Sequence, residues 1–437
     1  MTCRTGPAVP FPFALPGARP VDMLGVTDPA ALRPVTAEEW PLFARAMFDT
    51  FNEEVPRTWR EGPPEVAEVE RSLGLWDGDR IVATSGIYSQ ELTVPGATVP
   101  CAGVTWVTVS PTHRRRGVLT AIMRRQLTEI HEQQREPVAA LWAAEAAIYG
   151  RFGYAPATSR GNLEGRVERL RLRPDVDPGD GRVSMVPTEE FRSGAMGVFE
   201  QVRRSVPGNL ARDERWWDRA LRDDEEDRKG ATPRRHLLHT EPDGTVSGYA
   251  SYRVKGSWTD TGEPDGAVLV DDVRALSTPA YARLWQFLLS LDLVRNMRYP
   301  IASPDDPLLH LLASTRALHR RTNDGMWLRL VDVDRALAAR RYPAPIDMVI
   351  EVRDAFCPWN DGRFWLKGHP AGAFCSPTDG DPDLVIGIEA LSAAYLGGVS
   401  LGSLQAAGRV TEVSPGAVTQ ASTAFSWPVT PWCPEEF

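Results

Sequence analysis

Val107-Thr-Val-Ser-Pro-Thr-His-Arg-Arg-Arg-Gly-Val-Leu-Thr120 is the stretch that decides the fold of this chain. Its pattern predicts a short apolar strand that stops at Pro111, a basic turn that ends at Gly117, and a helix that begins at Val118. The first turn of a helix has free N–H groups and carries the positive end of the helix dipole, so it attracts anions. The sequence therefore predicts an anion site where the strand meets the helix.

The chemistry of this turn favours a phosphate ligand. Three neighbouring arginines suit a multiply charged phosphate, and Gly117 lets the backbone approach it closely because glycine has no Cβ. The three are Arg114, Arg115 and Arg116. The turn has neither the Gly-Lys-Ser/Thr of a Walker loop nor the Gly-x-Gly-x-x-Gly of a dinucleotide site. The alternative interpretation is a solvated basic turn at the start of a helix.

Composition narrows the class of protein. The chain has 437 residues, of which 42% are hydrophobic and 24% charged, and this length predicts about three globular domains. The net charge of −9 argues against a nucleic-acid partner and suits a cationic substrate. The basic turn is a local exception on an acidic protein, which favours a small anionic ligand there.

Cysteine usage and hydropathy predict a cytoplasmic protein without a membrane partner. The five cysteines are scattered and show neither a disulfide framework nor zinc spacing. His236 and His239 lack a third ligand nearby in the sequence, so we expect no metal. The chain also contains no run of 18 apolar residues, the length that a membrane-spanning helix requires.

The order of elements predicts an α/β (α+β) chain in several domains. We expect a flexible extension over residues 1–33 and a first domain over 34–164, whose first helix is opened by the capping box Thr36-Ala-Glu-Glu39 itself. A second domain, 165–329, repeats the order of the first. At the position of the basic turn it has Ala275-Leu-Ser-Thr-Pro-Ala-Tyr281, without arginine or glycine. We therefore expect a degenerate copy; the alternative is a domain with its own ligand. A third domain follows over residues 330–437.

Three motifs carry a resemblance to a known family. They are Pro111-Thr-His-Arg-Arg-Arg-Gly117, Ile148-Tyr-Gly-Arg-Phe-Gly-Tyr-Ala-Pro-Ala-Thr158 and Phe356-Cys-Pro-Trp-Asn-Asp-Gly362. From about Val35 to Phe437 the chain resembles the enhanced intracellular survival (Eis) acetyltransferases of the GNAT (Gcn5-related N-acetyltransferase) superfamily. The resemblance implies an active acetyltransferase domain, a degenerate second one, a C-terminal sterol-carrier-protein-like domain and a homohexamer.

The resemblance also implies an activity and a set of cofactor contacts. Members of the family transfer acetyl from acetyl-coenzyme A (acetyl-CoA) to amines of aminoglycosides, often at several positions, and sometimes to lysines of proteins or peptides. Cofactor contacts would come from Val107, Thr108, Val109, Arg114, Arg115, Arg116, Gly117, Val118, Leu119 and Glu145. The chain departs from the family at Ala144-Glu-Ala-Ala147, where Ser-Glu-Gly-Gly is frequent, so a serine contact to coenzyme A would be lost.

The catalytic and substrate residues follow from the same resemblance. Tyr149 matches the tyrosine that protonates the coenzyme A thiolate, and Phe437 matches the residue whose terminal carboxylate deprotonates the amine. The substrate residues are Trp59, Trp106 and Glu436. Each has a plainer alternative, because aromatic residues usually lie in a core, single acidic residues usually lie on the surface, and chain ends usually fray.

Two classes of function remain open at this stage. The first is an acetyl-CoA-dependent N-acetyltransferase acting on small cationic amines, with protein lysines as the runner-up substrate. The second is a non-catalytic lipid carrier whose first domain is vestigial. The intact arginine turn together with Tyr149 favours the first class.

Overall fold

The computed structural model describes residues 31–437; the part of the predicted extension before residue 31 lies outside the described residues. The strands of the first domain are β1 (Leu32–Pro34), β2 (Leu73–Asp77), β3 (Arg80–Val94), β4 (Ala97–Val109), β5 (Val138–Leu141) and β6 (Ala155–Pro156). Its helices are α1 (Trp40–Phe51), α2 (Arg57–Glu61), α3 (Val118–Gln133) and α4 (Ala146–Tyr149). Because β1 pairs with β2, the end of the predicted extension belongs to the sheet.

Local sequence explains most of these elements. Gly78 and Gly96 adopt φ values of 61° and 69°, which suit the tight turns on either side of β3. Helix α3 buries one apolar stripe, as predicted for an amphipathic helix. The prediction for α1 was wrong at its start. The helix begins at Trp40, and the Glu39 carboxylate accepts the Thr36 N–H at 3.0 Å, which is half of a capping box around a preceding turn.

The second domain is built on a seven-stranded sheet. Its strands are β7 (Ser159–Arg166), β8 (Arg182–Val186), β9 (Arg235–Thr240), β10 (Val246–Lys255), β11 (Gly266–Ala275), β12 (Val294–Ala302) and β13 (Leu318–Asp324). Its helices are α5 (Thr188–Arg203), α6 (Glu214–Leu221), α7 (Thr278–Leu288) and α8 (Leu308–Leu311). The strand order β13-β7-β12-β11-β10-β9-β8 includes one parallel pair, β11 with β12, which corresponds to β4 with β5 in the first domain.

The chain crosses between the first two sheets twice. Strand β7 lies between β13 and β12 of the second sheet, although the sequence had placed residues 159–164 in the first domain. Strand β14 (Trp327–Leu330) then returns to the first sheet and inserts between β5 and β6, completing the order β1-β2-β3-β4-β5-β14-β6. The predicted limits at 164 and 329 therefore fall within or beside exchanged strands.

The third domain packs a smaller sheet against four helices. Its strands are β15 (Ile346–Arg353), β16 (Gly362–His369), β17 (Gly372–Pro377), β18 (Leu384–Gly387) and β19 (Val410–Glu412), in the order β17-β16-β15-β18-β19. Its helices are α9 (Val333–Ala339), α10 (Ile388–Ala394), α11 (Leu401–Ala406) and α12 (Ala417–Phe425). Its core is continuous with the far end of the β3–β4 hairpin through Leu92, Val94 and Val99. Among the described residues, no helix is long and apolar enough to cross a membrane.

Candidate active site

A cleft of about 670 Å³ opens in the first domain between the end of β4 and the starts of α3 and α4. All of the predicted cofactor residues line it except Arg116, which is exposed outside the lining. The cleft is also lined by residues for which the sequence predicted no cofactor role: Thr50, Phe51, Asn52, His113, Thr120, Ala144, Ile148 and Arg151. His113, Thr120, Ala144, Ile148 and Arg151 lay within stretches that the sequence had singled out, whereas Thr50, Phe51 and Asn52 reach the cleft only because the end of α1 packs beside it.

The parallel strands β4 and β5 diverge at this cleft. They pair from Cys101–Val138 to Gly103–Ala140 only; β5 ends at Leu141, whereas β4 continues to Val109. Within the described residues, the last part of β4 therefore has a strand partner on one side alone, β3. An extended ligand with amide groups can add to such an open edge by strand-like hydrogen bonds.

A β-bulge reshapes β4 just before the cleft. Thr84 and Gly86 of β3 pair with Thr108 and Thr105, so two residues of β4 oppose one of β3. Trp106 in the bulge has a φ of 55°, and its carbonyl accepts the Thr84 hydroxyl at 2.7 Å. A Cβ on Gly86 would lie 2.5 Å from the Trp106 ring. Glycine at 86 is thus required for the Trp106 ring to lie across the sheet.

The N-terminus of α3 is open to an anion. Its N-cap is Gly117, with a φ of 77° and no side chain to cap the helix, and a Cβ there would meet no atom within 4 Å. Helix α7 in the second domain differs, because the Ser277 hydroxyl accepts the Ala280 N–H and Pro279 in its first turn has no N–H to offer. The two corresponding helix ends are therefore unequal as phosphate sites.

Tyr149 is both a core residue and part of the cleft wall. Its side chain is buried, its ring packs edge-on to Tyr154 at 6.2 Å between centroids, and it lines the cleft. Burial raises the pKa of Tyr149 to about 12, and the Glu145 carboxylate adds to the rise. A tyrosine in this state stays protonated at neutral pH and can donate a proton.

The C-terminal segment, residues 428–437, packs against the rest of the protein instead of fraying. The Trp142 indole N–H donates to the Glu435 carbonyl at 2.8 Å. The Phe437 ring lies over Gly103, where a Cβ would be 3.2 Å from it, and packs edge-on to Tyr88 at 6.4 Å. Only glycine at 103 leaves room for this ring without a shift.

Ion pairs alter the predicted role of the acidic residues at the chain end. Glu436 pairs with Arg160, and Glu435 pairs with Arg212 at 2.8 Å. Each carboxylate is thus partly neutralised by a guanidinium, so Glu436 is a poor source of negative potential for a cationic substrate. Its role in binding the substrate stays a prediction.

The two predicted substrate tryptophans lie at different depths. Trp106 is half-buried and packs edge-on to Tyr88 at 5.0 Å, beside Phe437. Trp59 is buried in a small core, stacked on Trp40 at 5.5 Å and edge-on to Trp106 at 5.4 Å. Trp59 therefore supports Trp106 from one side, and neither tryptophan is among the residues that line the cleft.

The two histidines flagged in the sequence are structural. His236 bonds the Ser251 hydroxyl at 3.0 Å, and His239 bonds the Ser247 hydroxyl at 2.8 Å, both inside the second domain. Across the part of the chain that the structure describes, no group of three or more His, Cys, Asp or Glu side chains is arranged for a metal ion.

Diverging parallel strands, a bulge in β4 and an uncapped helix behind a basic turn together define an acetyltransferase of the GNAT class. Sequence profiles agree: those described as acetyltransferase (GNAT) domains match residues 31–157 and 208–330, and one described as a sterol carrier protein domain matches 333–434. The acetyl donor of this fold is acetyl-CoA, and the third domain is of the sterol-carrier-protein type.

Related proteins identify the family. The chain is 36% identical to the N-acetyltransferase Eis of Mycobacterium tuberculosis, over 90% of this chain and 95% of that protein. It is 43% identical to an uncharacterized N-acetyltransferase of Streptomyces avermitilis, over 94% of this chain and 100% of the relative. The crystal structure of Eis1 from Mycobacterium abscessus superposes with a TM-score of 0.78 at 33% identity, covering 93% of this chain and 100% of that one. The chain belongs to the Eis family of N-acetyltransferases.

Proposed function

We propose that this N-acetyltransferase acetylates amines of small cationic molecules such as aminoglycosides, often at several positions of one substrate. The observation that carries the proposal is the placement of Tyr149 in the same cleft as the arginine turn and the open edge of β4. Kinship with proteins named Eis supports the same class of reaction. The homohexamer and the cytoplasmic location expected from the sequence belong to this proposal.

The residues of the cleft fit acetyl-CoA. The free N–H groups at the start of α3, with Arg114 and Arg115, would hold its pyrophosphate. The open edge of β4 at Val107 and Val109 would pair with the amides of its pantetheine arm. Bound there, acetyl-CoA supplies an activated acetyl thioester beside Tyr149.

The protein's own groups would move two protons during transfer. The terminal carboxylate of Phe437 takes a proton from the substrate ammonium, which frees the nitrogen lone pair to attack the acetyl carbon. The new C–N bond forms as the C–S bond breaks, and the Tyr149 hydroxyl gives its proton to the leaving thiolate. The surplus proton of the acylated nitrogen then restores the Tyr149 hydroxyl, and the proton held by the Phe437 carboxyl leaves to solvent. Docking of Phe437 against β4, near Trp106, supports this assignment.

The test of the acid is Tyr149→Phe with Tyr154→Phe as its matched control. Both variants keep a buried ring and lose one hydroxyl, but only Tyr149 lines the cleft. Turnover in a thiol-release assay should fall on the order of 10²- to 10⁴-fold for Tyr149→Phe and stay near wild type for Tyr154→Phe. Acetyl-CoA affinity should change little in either. Wild-type turnover by Tyr149→Phe would leave that residue a core aromatic only.

A substrate panel tests the acceptor class. Aminoglycosides, polyamines and lysine-containing peptides are compared by kcat/KM, and acetyl groups added per molecule are counted by mass spectrometry. We expect aminoglycosides to be preferred and to receive more than one acetyl group. Preference for the peptides would move the function to protein acetylation, and turnover of none of them would favour the carrier alternative.

A further inference from the structure

The C-terminal segment runs across the second domain before it reaches the first. Pro428, Val429 and Trp432 line a cavity of about 460 Å³ together with residues from the end of β11 and the start of α7. That cavity corresponds in the second domain to the acetyl-CoA cleft of the first. The segment thus forms part of the wall of the cavity that stands, in the second domain, where the first domain has its cofactor cleft.

The loop at residues 207–209, between α5 and α6, binds the main chain of the C-terminal segment by hydrogen bonds. The Trp432 N–H donates to the Pro207 carbonyl at 2.9 Å, and the buried Asn209 amide donates to the Trp432 carbonyl at 2.7 Å. The same loop is bonded to β3 of the first domain, since the Thr93 N–H donates to the Asn209 carbonyl at 2.8 Å. The loop therefore fixes the segment relative to the first sheet.

Arg219 on α6 makes the last of these contacts. Its guanidinium donates to the Glu436 carbonyl at 3.3 Å and lies 5.5 Å from the centroid of the Trp216 ring. Trp216 packs edge-on to Tyr88 at 5.0 Å, and Tyr88 in turn packs on Phe437. Burial raises the pKa of Tyr88, and the positive charge of Arg219 opposes the rise.

Arg219 differs from the neighbouring arginines in its partners. Arg160 and Arg212 pair with the Glu436 and Glu435 side chains, whereas Arg219 takes part in none of the carboxylate ion pairs found among residues 31–437. Its contact is with the peptide group that joins Glu436 to Phe437. A guanidinium there restricts both the direction of the final residue and the position of its carboxylate.

We propose that the second domain serves catalysis by receiving the C-terminal segment, and that Arg219 is a positioning residue for the carboxylate of Phe437. The inference rests on the proposed role of that carboxylate as the base. A domain whose helix α7 is capped by its own Ser277 would then contribute to acetyl transfer without a cofactor of its own.

The experiment is a double-mutant cycle in the full-length protein. One change is Arg219→Met, which keeps the side-chain stem and removes the charge and the donors; the other is a three-residue extension after Phe437, which displaces the carboxylate. Arg219→Lys tests rescue by a retained cation. Arg215→Met is the matched control, because Arg215 lies one turn earlier on α6, exposed and paired with Asp213 at 3.0 Å.

We expect Arg219→Met to lower kcat for amine acetylation roughly 10- to 100-fold, the scale of a small misplacement of a reacting group. The dissociation constant of acetyl-CoA and the melting temperature should stay near wild type, and Arg219→Lys should recover most of the loss. In the extended protein, Arg219→Met should cause no further loss, because both changes act on one carboxylate. Hydrogen exchange of the amides over residues 432–437 should quicken in Arg219→Met and not in Arg215→Met.

The outcomes separate this inference from the proposed function. If the extension abolishes turnover but Arg219→Met is fully active, the carboxylate remains the base and the positioning role of Arg219 is wrong. If the losses multiply in the double variant, Arg219 acts by another route and the inference is overturned. Full activity of the extended protein removes the carboxylate as base, and the inference with it.

Discussion

The arginine turn allows a prediction that separates neighbouring residues of the same type. Arg115 lines the cleft, whereas Arg116 is exposed outside it. The motif alone assigned both to the pyrophosphate. The change to make is therefore Arg115→Gln, with Arg116→Gln as a matched control that removes the same charge one residue along the chain.

The size of the effect follows from the contact that is lost. A charge-assisted hydrogen bond to phosphate contributes roughly 1.5–3 kcal/mol, which corresponds to about a 10- to 150-fold rise in the dissociation constant of acetyl-CoA. An exposed charge that does not touch the ligand contributes about 1 kcal/mol or less, so Arg116→Gln should raise the constant less than about 5-fold. Arg115 has a φ of 63°, so a glutamine at this position should carry about the same backbone strain as the arginine.

Isothermal titration calorimetry of the two variants with acetyl-CoA measures this difference directly. Circular dichroism and the melting temperature check that the fold is unchanged. Equal losses in both variants would show that the turn acts only through its summed charge. An unchanged constant for Arg115→Gln would show that the free N–H groups of α3 bind the pyrophosphate without it.

Three further predictions concern the second domain and the bulge. Calorimetry should find one acetyl-CoA per chain, and two sites would contradict the contrast between Gly117 and the Ser277 cap. Gly86→Ala should lower the free energy of unfolding by about 1–3 kcal/mol and lower kcat/KM for the amine, because the new Cβ would lie 2.5 Å from the Trp106 ring. Gly197→Ala is the control for unfolding and kinetics, because a Cβ there would meet nothing within 4 Å. Burial raises the pKa of Asp306 to about 6 from 3.8, so the contribution of this group to wild-type stability should fall by about 2 kcal/mol as pH rises from about 4 to 6. Asp306→Asn should lack this loss in chemical unfolding across that range, and an identical pH dependence would refute it.

Much of the cofactor cleft was predictable because its signals are local. Pro111 follows the end of β4, Gly117 is the N-cap of α3, and the alternating or helical spacing of apolar residues predicts the elements on either side. Such patterns depend on residues a few positions apart, which interact wherever the segment lies. The direction of each arginine was not predictable, because it depends on φ at Arg115 and on the packing of α1 and α4 around the turn.

The exchanged strands show why the domain limits were harder to predict. Strand β14, Trp327-Leu-Arg-Leu330, has a mostly apolar sequence that would suit either sheet, and only its pairing with β5 and β6 assigns it to the first. That pairing joins residues nearly two hundred positions apart, for example Trp327 with Leu141, and no sequence window contains both. Likewise, Ser159–Arg166 continues directly from the first domain yet pairs with β12 and β13.

The sequence by itself determined the acetyltransferase architecture, the anion site and the identity of Tyr149 as a candidate acid, since motif, turn chemistry and periodicity are properties of short segments. Tertiary structure alone decided that Arg116 lies outside the cleft, that Glu435 and Glu436 are paired with arginines, and that Phe437 lies over Gly103. The position of Arg116 depends on packing within the first domain, and the other three depend on contacts between separate domains, where burial and charge pairing are set by which surfaces meet rather than by neighbours along the chain.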